Sequence, residues 1–168
     1  MHSLALVSGA VEGELARTGP RAGTGETALA QIVERILSVV SRTPDGQRIS
    51  LATDIAPGLH IPMAEEAALE TLGAVIDNAV RHARRAVAIS GAKDAGQCWI
   101  AVEDDGPGIA PDLRQAALAR GGQLDERSGS HGLGLAIAQD FVLAHAGTLQ
   151  LGDSRLGGLA VRMSWPAR

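Results

Sequence analysis

Tyrosine is absent from these 168 residues, phenylalanine occurs once and tryptophan twice, so aromatic side chains make up only 2% of the chain. The core must therefore be built from Ala, Val, Ile and Leu, and base-stacking platforms for single-stranded nucleic acid are disfavoured. Cysteine also occurs once, at Cys98, which excludes an internal disulfide and argues against a Cys-based zinc site. Its place within an apolar run suits a small core residue in a reducing compartment. Long Lys/Arg runs are missing and the net charge is −4, so there is no electrostatic footprint for DNA, RNA or an anionic membrane. No apolar stretch approaches the roughly 20 residues that span a bilayer, and the N-terminus lacks a basic flank followed by an apolar segment. These features predict a soluble, cytoplasmic chain without direct membrane contact, whether or not it is part of a longer membrane-bound protein.

What is present is an ordinary globular balance, 45% hydrophobic and 20% charged, in a length suited to one domain with its own core. Met1–Arg17 carries helical spacing at Leu4, Val7, Val11 and Leu15, weakened by Gly9 and Gly13, and TGPRAGTGE over Thr18–Glu26 reads as a linker. The globular part is expected from Thr27 to the end. Ile32, Ile36, Val39 and Val40 predict a helix over Thr27–Arg42 with Thr27 as N-cap. A turn at TPDG, Thr43–Gly46, leads to a half-buried strand over Ile49–Ile55, which Pro57, Gly58 and Pro62 end.

Ala64–Ala83 predicts a long helix with two different faces. Leu69, Leu72, Gly73, Ile76, Ala79 and Val80 fall on an apolar side, while Glu70, Asn78 and Arg81 share the neighbouring flank. Val87 and Ile89 predict a strand, which KDAG turns back into another opening at Cys98. A short Ala-rich helix is expected over Pro111–Arg120, a polar lid-like loop over Gly121–His131, and a helix over Gly132–Ala146 stopped by Gly147. Strands at Leu149 and Leu151 and over Leu159–Trp165 follow, joined at Gly157 and Gly158. This order predicts an α/β fold, a two-layer sandwich with three helices on one face of a mixed five-stranded sheet.

Three segments carry candidate chemistry. An Asn in mid-helix is a poor helix former, so Asn78 calls for a reason beyond propensity, although a surface position would also accommodate it. At the end of the apolar strand, Glu103, Asp104 and Asp105 precede the tight turn Gly106, Pro107, Gly108. A carboxylate held there is a good acceptor for an exocyclic amine such as that of adenine, although DDGPG by itself is also an ordinary polar turn. The third segment is the Gly-rich helix start HGLGL, His131–Leu135, whose unpaired N–H groups and dipole favour phosphate. Two commoner nucleotide motifs are excluded. GxxxxGK[ST] does not occur, and after Gly132 and Gly134 the third glycine position of GxGxxG holds Ile137.

ETLGAVIDNAVRHA, VEDDGPGI, SHGLGLAIA and LGGLAVRMSWP together resemble the N, G1, G2 and final Gly-rich boxes of the ATP-binding domain of bacterial sensor histidine kinases, part of the wider Bergerat-type ATPases. The resemblance runs from about Leu29 to Pro166. ARGGQLDERSGSHGLGL is most similar to the subset with RGQ in place of an aromatic-rich box. It implies ATP and Mg²⁺ as cofactors, with Asn78 as the metal ligand, Glu70 and Asn78 as the catalytic pair and Arg81 as the basic residue near phosphate. Asp105 would be the adenine-reading carboxylate on a turn shaped by Gly106 and Gly108, Gly132 and Gly134 would cradle the phosphates, and Ser130, His131 and Leu133 would also belong to the nucleotide-binding set. Two positions depart from the pattern and bear on nucleotide affinity: Ala74 stands where the N box usually has Asn, and Ser130 where the lid has its first glycine.

The same resemblance implies that the γ-phosphoryl group goes to a histidine on a dimerisation domain and then to a response regulator. None of His2, His60, His82, His131 and His145 lies in the HE-x-x-x-P setting of the acceptor helix. Residues 1–26 are therefore expected to be the remnant of the preceding dimerisation helix with its linker, and residues 27–168 the ATP-binding catalytic domain. Two rival readings stand beside this one: a related ATPase or Ser-directed anti-sigma-type kinase, and an interaction module that has lost catalysis.

Overall fold

The computed structural model describes residues 25–119 and 131–167, without the side chains of residues 131–133. The expected leading helix, most of the linker and nearly all of the lid-like loop, with Ser130, lie outside the described residues. The predicted α/β sandwich is the fold observed. Its sheet has five strands in the order β2-β4-β5-β7-β6, formed by β2 (Ser50–Ile55), β4 (Ala86–Asp94), β5 (Gln97–Asp104), β6 (Thr148–Asp153) and β7 (Leu159–Pro166). β2 pairs parallel to β4 and the remaining neighbours pair antiparallel.

The three long helices are α1 (Leu29–Val40), α3 (Glu65–His82) and α5 (His131–Ala144). In α1, Leu29, Ile32, Val33, Ile36 and Val40 are buried, the spacing of one helix face turned to the core. α3 lies between the other two and begins without a side-chain cap, but Glu65 and Glu66 in its first turn and Arg81 and His82 in its last complement the helix dipole. The core it shares with the sheet centres on Leu72, Ile76, Ile89, Ile100, Met163 and Trp165. Trp165 is the largest fully buried side chain, so one of the three aromatic residues lies wholly within the core. The opposite face of the sheet carries Ala88, Ser90, Trp99, Arg162 and Ser164, with the Arg162 guanidinium 4.4 Å from the Trp99 ring centre.

Several local expectations change. Thr27 does not cap α1: it belongs to β1 (Thr27–Ala28), which pairs with β3 (His60–Ile61), and its hydroxyl donates to the Met63 carbonyl at 2.7 Å. This small sheet straps the start of α1 to the segment after β2. The TPDG turn is a short helix, α2 (Pro44–Gln47), because the Thr43 hydroxyl accepts from the Gly46 N–H at 3.0 Å and Pro44 stands in its first turn. The edge strand β2 is more exposed than an alternating half-buried strand, with Leu51 and Ile55 only partly covered. Pro111–Leu113 is a 3₁₀ turn leading into α4 (Arg114–Leu118). After α5, Ala146 takes the left-handed conformation (φ 62°), and Gly147 is required for another reason: a β-carbon there would strike the Trp165 indole.

Candidate functional site

β5 alternates with a period of two, so Cys98, Ile100 and Val102 point into the core and carry Asp104 inward with them. Asp104 is 2% exposed. Its Oδ1 accepts from the Gly106 N–H at 2.9 Å and the Leu159 N–H at 3.1 Å, and its backbone carbonyl accepts from the Gly158 N–H at 3.1 Å. Both side-chain bonds fall on Oδ1, so Oδ2 is the oxygen that these turns do not use. Burial raises the carboxyl above its ordinary range, and the Leu159 and Gly106 amides offset that only in part.

Asp105, the expected purine-reading residue, lies past the end of the strand and faces elsewhere. Its carboxylate accepts from the Arg84 N–H at 2.7 Å and from the Arg85 N–H at 3.0 Å (Oδ1) and 2.9 Å (Oδ2). Those amides, Arg85 foremost, hold it below the usual carboxylate range. The inward carboxylate of this strand end is therefore Asp104. Strand alternation was the signal available for it: counting by two from Ile100 and Val102 reaches Asp104.

The neighbouring glycines tie this strand end to α3 and to the β6–β7 hairpin. A β-carbon on Gly106 would strike the His82 carbonyl, so the last turn of α3 lies directly against the DDGPG turn. Gly108 takes φ 71° beside Gly158, and a β-carbon on Gly158 would strike Asp104 Oδ1. The His82 ring Nδ1 donates to the Asn78 carbonyl at 2.9 Å, and His82 contributes to the electrostatic field at Asp104. The sequence carries His82 only within the N-box string and Gly158 and Leu159 only within the final Gly-rich string, and nothing along the chain says that they meet Asp104.

On α3, Glu70 and Asn78 are both buried, at 2% and 8% exposure, which removes the surface-position reading of Asn78. Arg81 is paired with Asp77 one turn back, Nε to Oδ2 at 3.0 Å. Burial raises the Asp77 carboxyl, with Arg81 opposing. Ala74 stands one turn before Asn78, and a β-carbon on Gly134 would lie 3.8 Å from the Ala74 carbonyl. The Gly-rich start of α5, in which His131, Gly132 and Leu133 occupy the first turn, thus meets the middle of α3.

α3 is the shared wall of this arrangement. At about 1.5 Å per residue, Ala74 and His82 are about 12 Å apart along its axis. Along α3, that span separates the residue that meets the DDGPG turn from the one that meets the Gly-rich helix start. Between them sits Asn78, a neutral oxygen donor. Among the described residues no group of three His, Cys, Asp or Glu side chains is arranged to hold a metal. A hard ion completing its shell from phosphate and water fits that donor set better than a caged one.

Residues 63–168 match the family described as histidine kinase-, DNA gyrase B-, and HSP90-like ATPase. The chain is 46% identical over 121 residues to the sensor protein kinase CarS of Pseudomonas aeruginosa, covering 72% of this chain and 27% of that protein. It is 34% identical over 135 residues to the two-component sensor PhoQ of the same organism, covering 80% and 30%. It thus spans less than a third of the length of these relatives. Among solved structures, the mycobacterial sensor histidine kinase MprB superposes with a TM-score of 0.73 at 24% identity, over 87% of this chain and 99% of that one. The chain belongs to the histidine kinase-, DNA gyrase B- and HSP90-like ATPases, and within them to the ATP-binding catalytic domains of sensor histidine kinases.

Proposed function

We propose that this chain binds Mg·ATP in the cleft walled by α3 and delivers the γ-phosphoryl group to a histidine on a dimerisation domain, from which a response regulator is phosphorylated. The observation that carries the reading is Asp104, a buried carboxylate with Oδ1 fixed by two amides and Oδ2 left to take a ligand's donor. In this role Asp104, rather than Asp105, reads the adenine amino group. Asn78 holds the metal ion, Arg81 lies near the phosphates, and the amides of Gly132 and Gly134 at the start of α5 receive phosphate oxygens. Bound there, Mg²⁺ would supply neutralisation of phosphate charge, while the chain's own contribution is positioning. Glu70, buried on the same helix, completes the expected catalytic pair.

One relative is named a sensor protein kinase and another a virulence sensor histidine kinase, which supports a histidine acceptor over a serine one. We further propose that residues 27–168 form the ATP-binding catalytic domain and that the chain is the cytoplasmic part of a membrane sensor. No helix among the described residues is long and apolar enough to cross a membrane.

The test is transfer in trans. With labelled ATP, the chain should pass an acid-labile label to a separately supplied dimerisation domain bearing the acceptor histidine, and Asn78→Ala and Asp104→Ala should abolish it. Acid-stable label on serine would move the assignment to a Ser-directed kinase. No ATP binding by calorimetry would leave only an interaction module.

A further inference from the structure

α3 ends without the usual devices. Its C-cap is Ala83, in an extended conformation (ψ 145°), and no glycine follows it. Two side chains from distant parts of the chain hold this exit instead. Arg48, at the end of α2, donates from Nη1 to the Ala83 carbonyl at 2.8 Å and the Arg84 carbonyl at 3.2 Å, and from Nη2 to the Val80 carbonyl at 3.4 Å. Asp105 takes the amides of the same turn, those of Arg84 and Arg85, with both oxygens. A cation thus grips the carbonyls and an anion the N–H groups of one three-residue exit.

The consequence depends on what each end carries. Asp105 is covalently next to Asp104, and the gripped turn begins immediately after His82, one turn beyond Asn78. Together with the close approach of Gly106 to the His82 carbonyl, this clamp fixes how far α3 stands from the β5 end. Resting on the site reading above, we propose that Asp105 is a positioning residue: it pins the exit of α3 to the strand end and so sets Asn78 at the distance from Asp104 that a metal-bound nucleotide requires. Asp105 touches neither base nor metal in this role. It acts through backbone, and a side chain that keeps an acceptor oxygen keeps most of the function.

The test compares ATP affinity in Mg²⁺ and in chelator, by calorimetry, for the wild type, Asp105→Ala, Asp105→Asn and Arg48→Met. A displaced metal helix costs affinity only for the ligand that uses both ends of the site. Asp105→Ala should therefore lose at least about tenfold in Mg·ATP affinity, while its affinity in chelator stays near wild type. Asp105→Asn should restore most of the difference, and Arg48→Met should repeat the loss in milder form. In an Asn78→Ala background, Asp105→Ala should add nothing further. Without nucleotide, amide exchange at Arg84 and Arg85 should be slow in the wild type and fast in Asp105→Ala.

An equal loss in chelator, or an Asn variant as poor as the Ala variant, would show that Asp105 contacts the ligand directly and overturn the proposal. If Asp105→Ala does not fold, Arg48→Met decides, and wild-type Mg·ATP affinity there overturns it. Asp104→Ala is measured alongside. Wild-type binding in that variant sinks the site reading itself, whereas loss there with an unchanged Mg²⁺-dependent gain in Asp105→Ala sinks only the positioning role.

Discussion

Glu103 and Asp104, adjacent in β5, hold the same hairpin from opposite faces of the sheet. Glu103 accepts from the Arg155 amide at 3.1 Å and its guanidinium Nη2 at 2.9 Å, while Asp104 accepts from the Leu159 amide. The β6–β7 turn is thus straddled by two carboxylates whose protonation preferences diverge. Burial pushes Glu103 up, but its bonds from Arg155 outweigh this and leave it below the ordinary range. For Asp104 burial wins and the carboxyl is raised.

Asp104→Asn tests that raised carboxyl. A group whose folded pKa exceeds its unfolded value contributes stability that is complete below the unfolded value and lost as pH rises through the folded one. The ionised form of Asp104 therefore costs stability, and the Asn variant, which keeps an oxygen for the Gly106 and Leu159 amides, should gain on wild type in melting temperature as pH rises. It should also bind ATP roughly tenfold to a hundredfold more weakly, since an amide NH₂ would face the adenine amine and leave about 1–3 kcal/mol of hydrogen bonding unmade. Inosine triphosphate, with a carbonyl at that position, should lose less. Thermal melts and calorimetry with both nucleotides check this.

Glu103→Gln should behave in the opposite sense. A depressed folded pKa contributes stability present above the ordinary carboxylate value and lost as pH falls through the folded one. The variant should be less stable than wild type at neutral pH, with the gap closing on acidification, read as denaturant midpoints between pH 7 and pH 3. The Arg155 side chain is 78% exposed, so the effect should also shrink in salt.

Gly158→Ala places a methyl against Asp104 Oδ1 and the Gly106 amide, with no flexible neighbour to yield. ATP affinity should fall at least as far as in Asp104→Asn, with no compensating rise in melting temperature. Near-wild-type binding would mean that the hairpin and the carboxylate are not in register as described.

Gly147→Ala should destabilise by about 1–3 kcal/mol, the usual cost of overpacking a core. Its β-carbon meets the indole of Trp165, which is fully buried. Urea unfolding measures the loss. ATP affinity, corrected for the fraction folded, should be unchanged, because this contact is remote from Asp104.

The long periodic elements were legible in the chain because their burial is regular: α1, α3 and β7 fall where apolar spacing puts them. What escaped depends on contacts that spacing does not encode. Thr27 reads as a cap, yet its hydroxyl finds Met63, 36 residues away. Gly147 reads as a helix stop, yet Ala146 makes the left-handed turn and Gly147 answers to Trp165. Within DDGPG the chemistry was legible and the orientation was not. Both aspartates suit a purine on composition, and strand parity separates them, one facing the core and the other the backbone of Arg84 and Arg85.

The two tryptophans occupy adjacent rows of the sheet but opposite faces: Trp165 pairs with Cys98 on the core side, and Trp99 with Ser164 on the other. Trp165 is fully buried, whereas Trp99 is only partly covered and carries the Arg162 cation above its ring. With no tyrosine in the chain, near-ultraviolet emission divides between one fluorophore that a dissolved quencher cannot reach and one that it can. Iodide, drawn by Arg162, should dim the exposed fraction first, and the unquenched remainder reports the core alone. The sheet therefore acts as an optical partition, letting loosening of the interior be followed separately from any contact made on its outer surface.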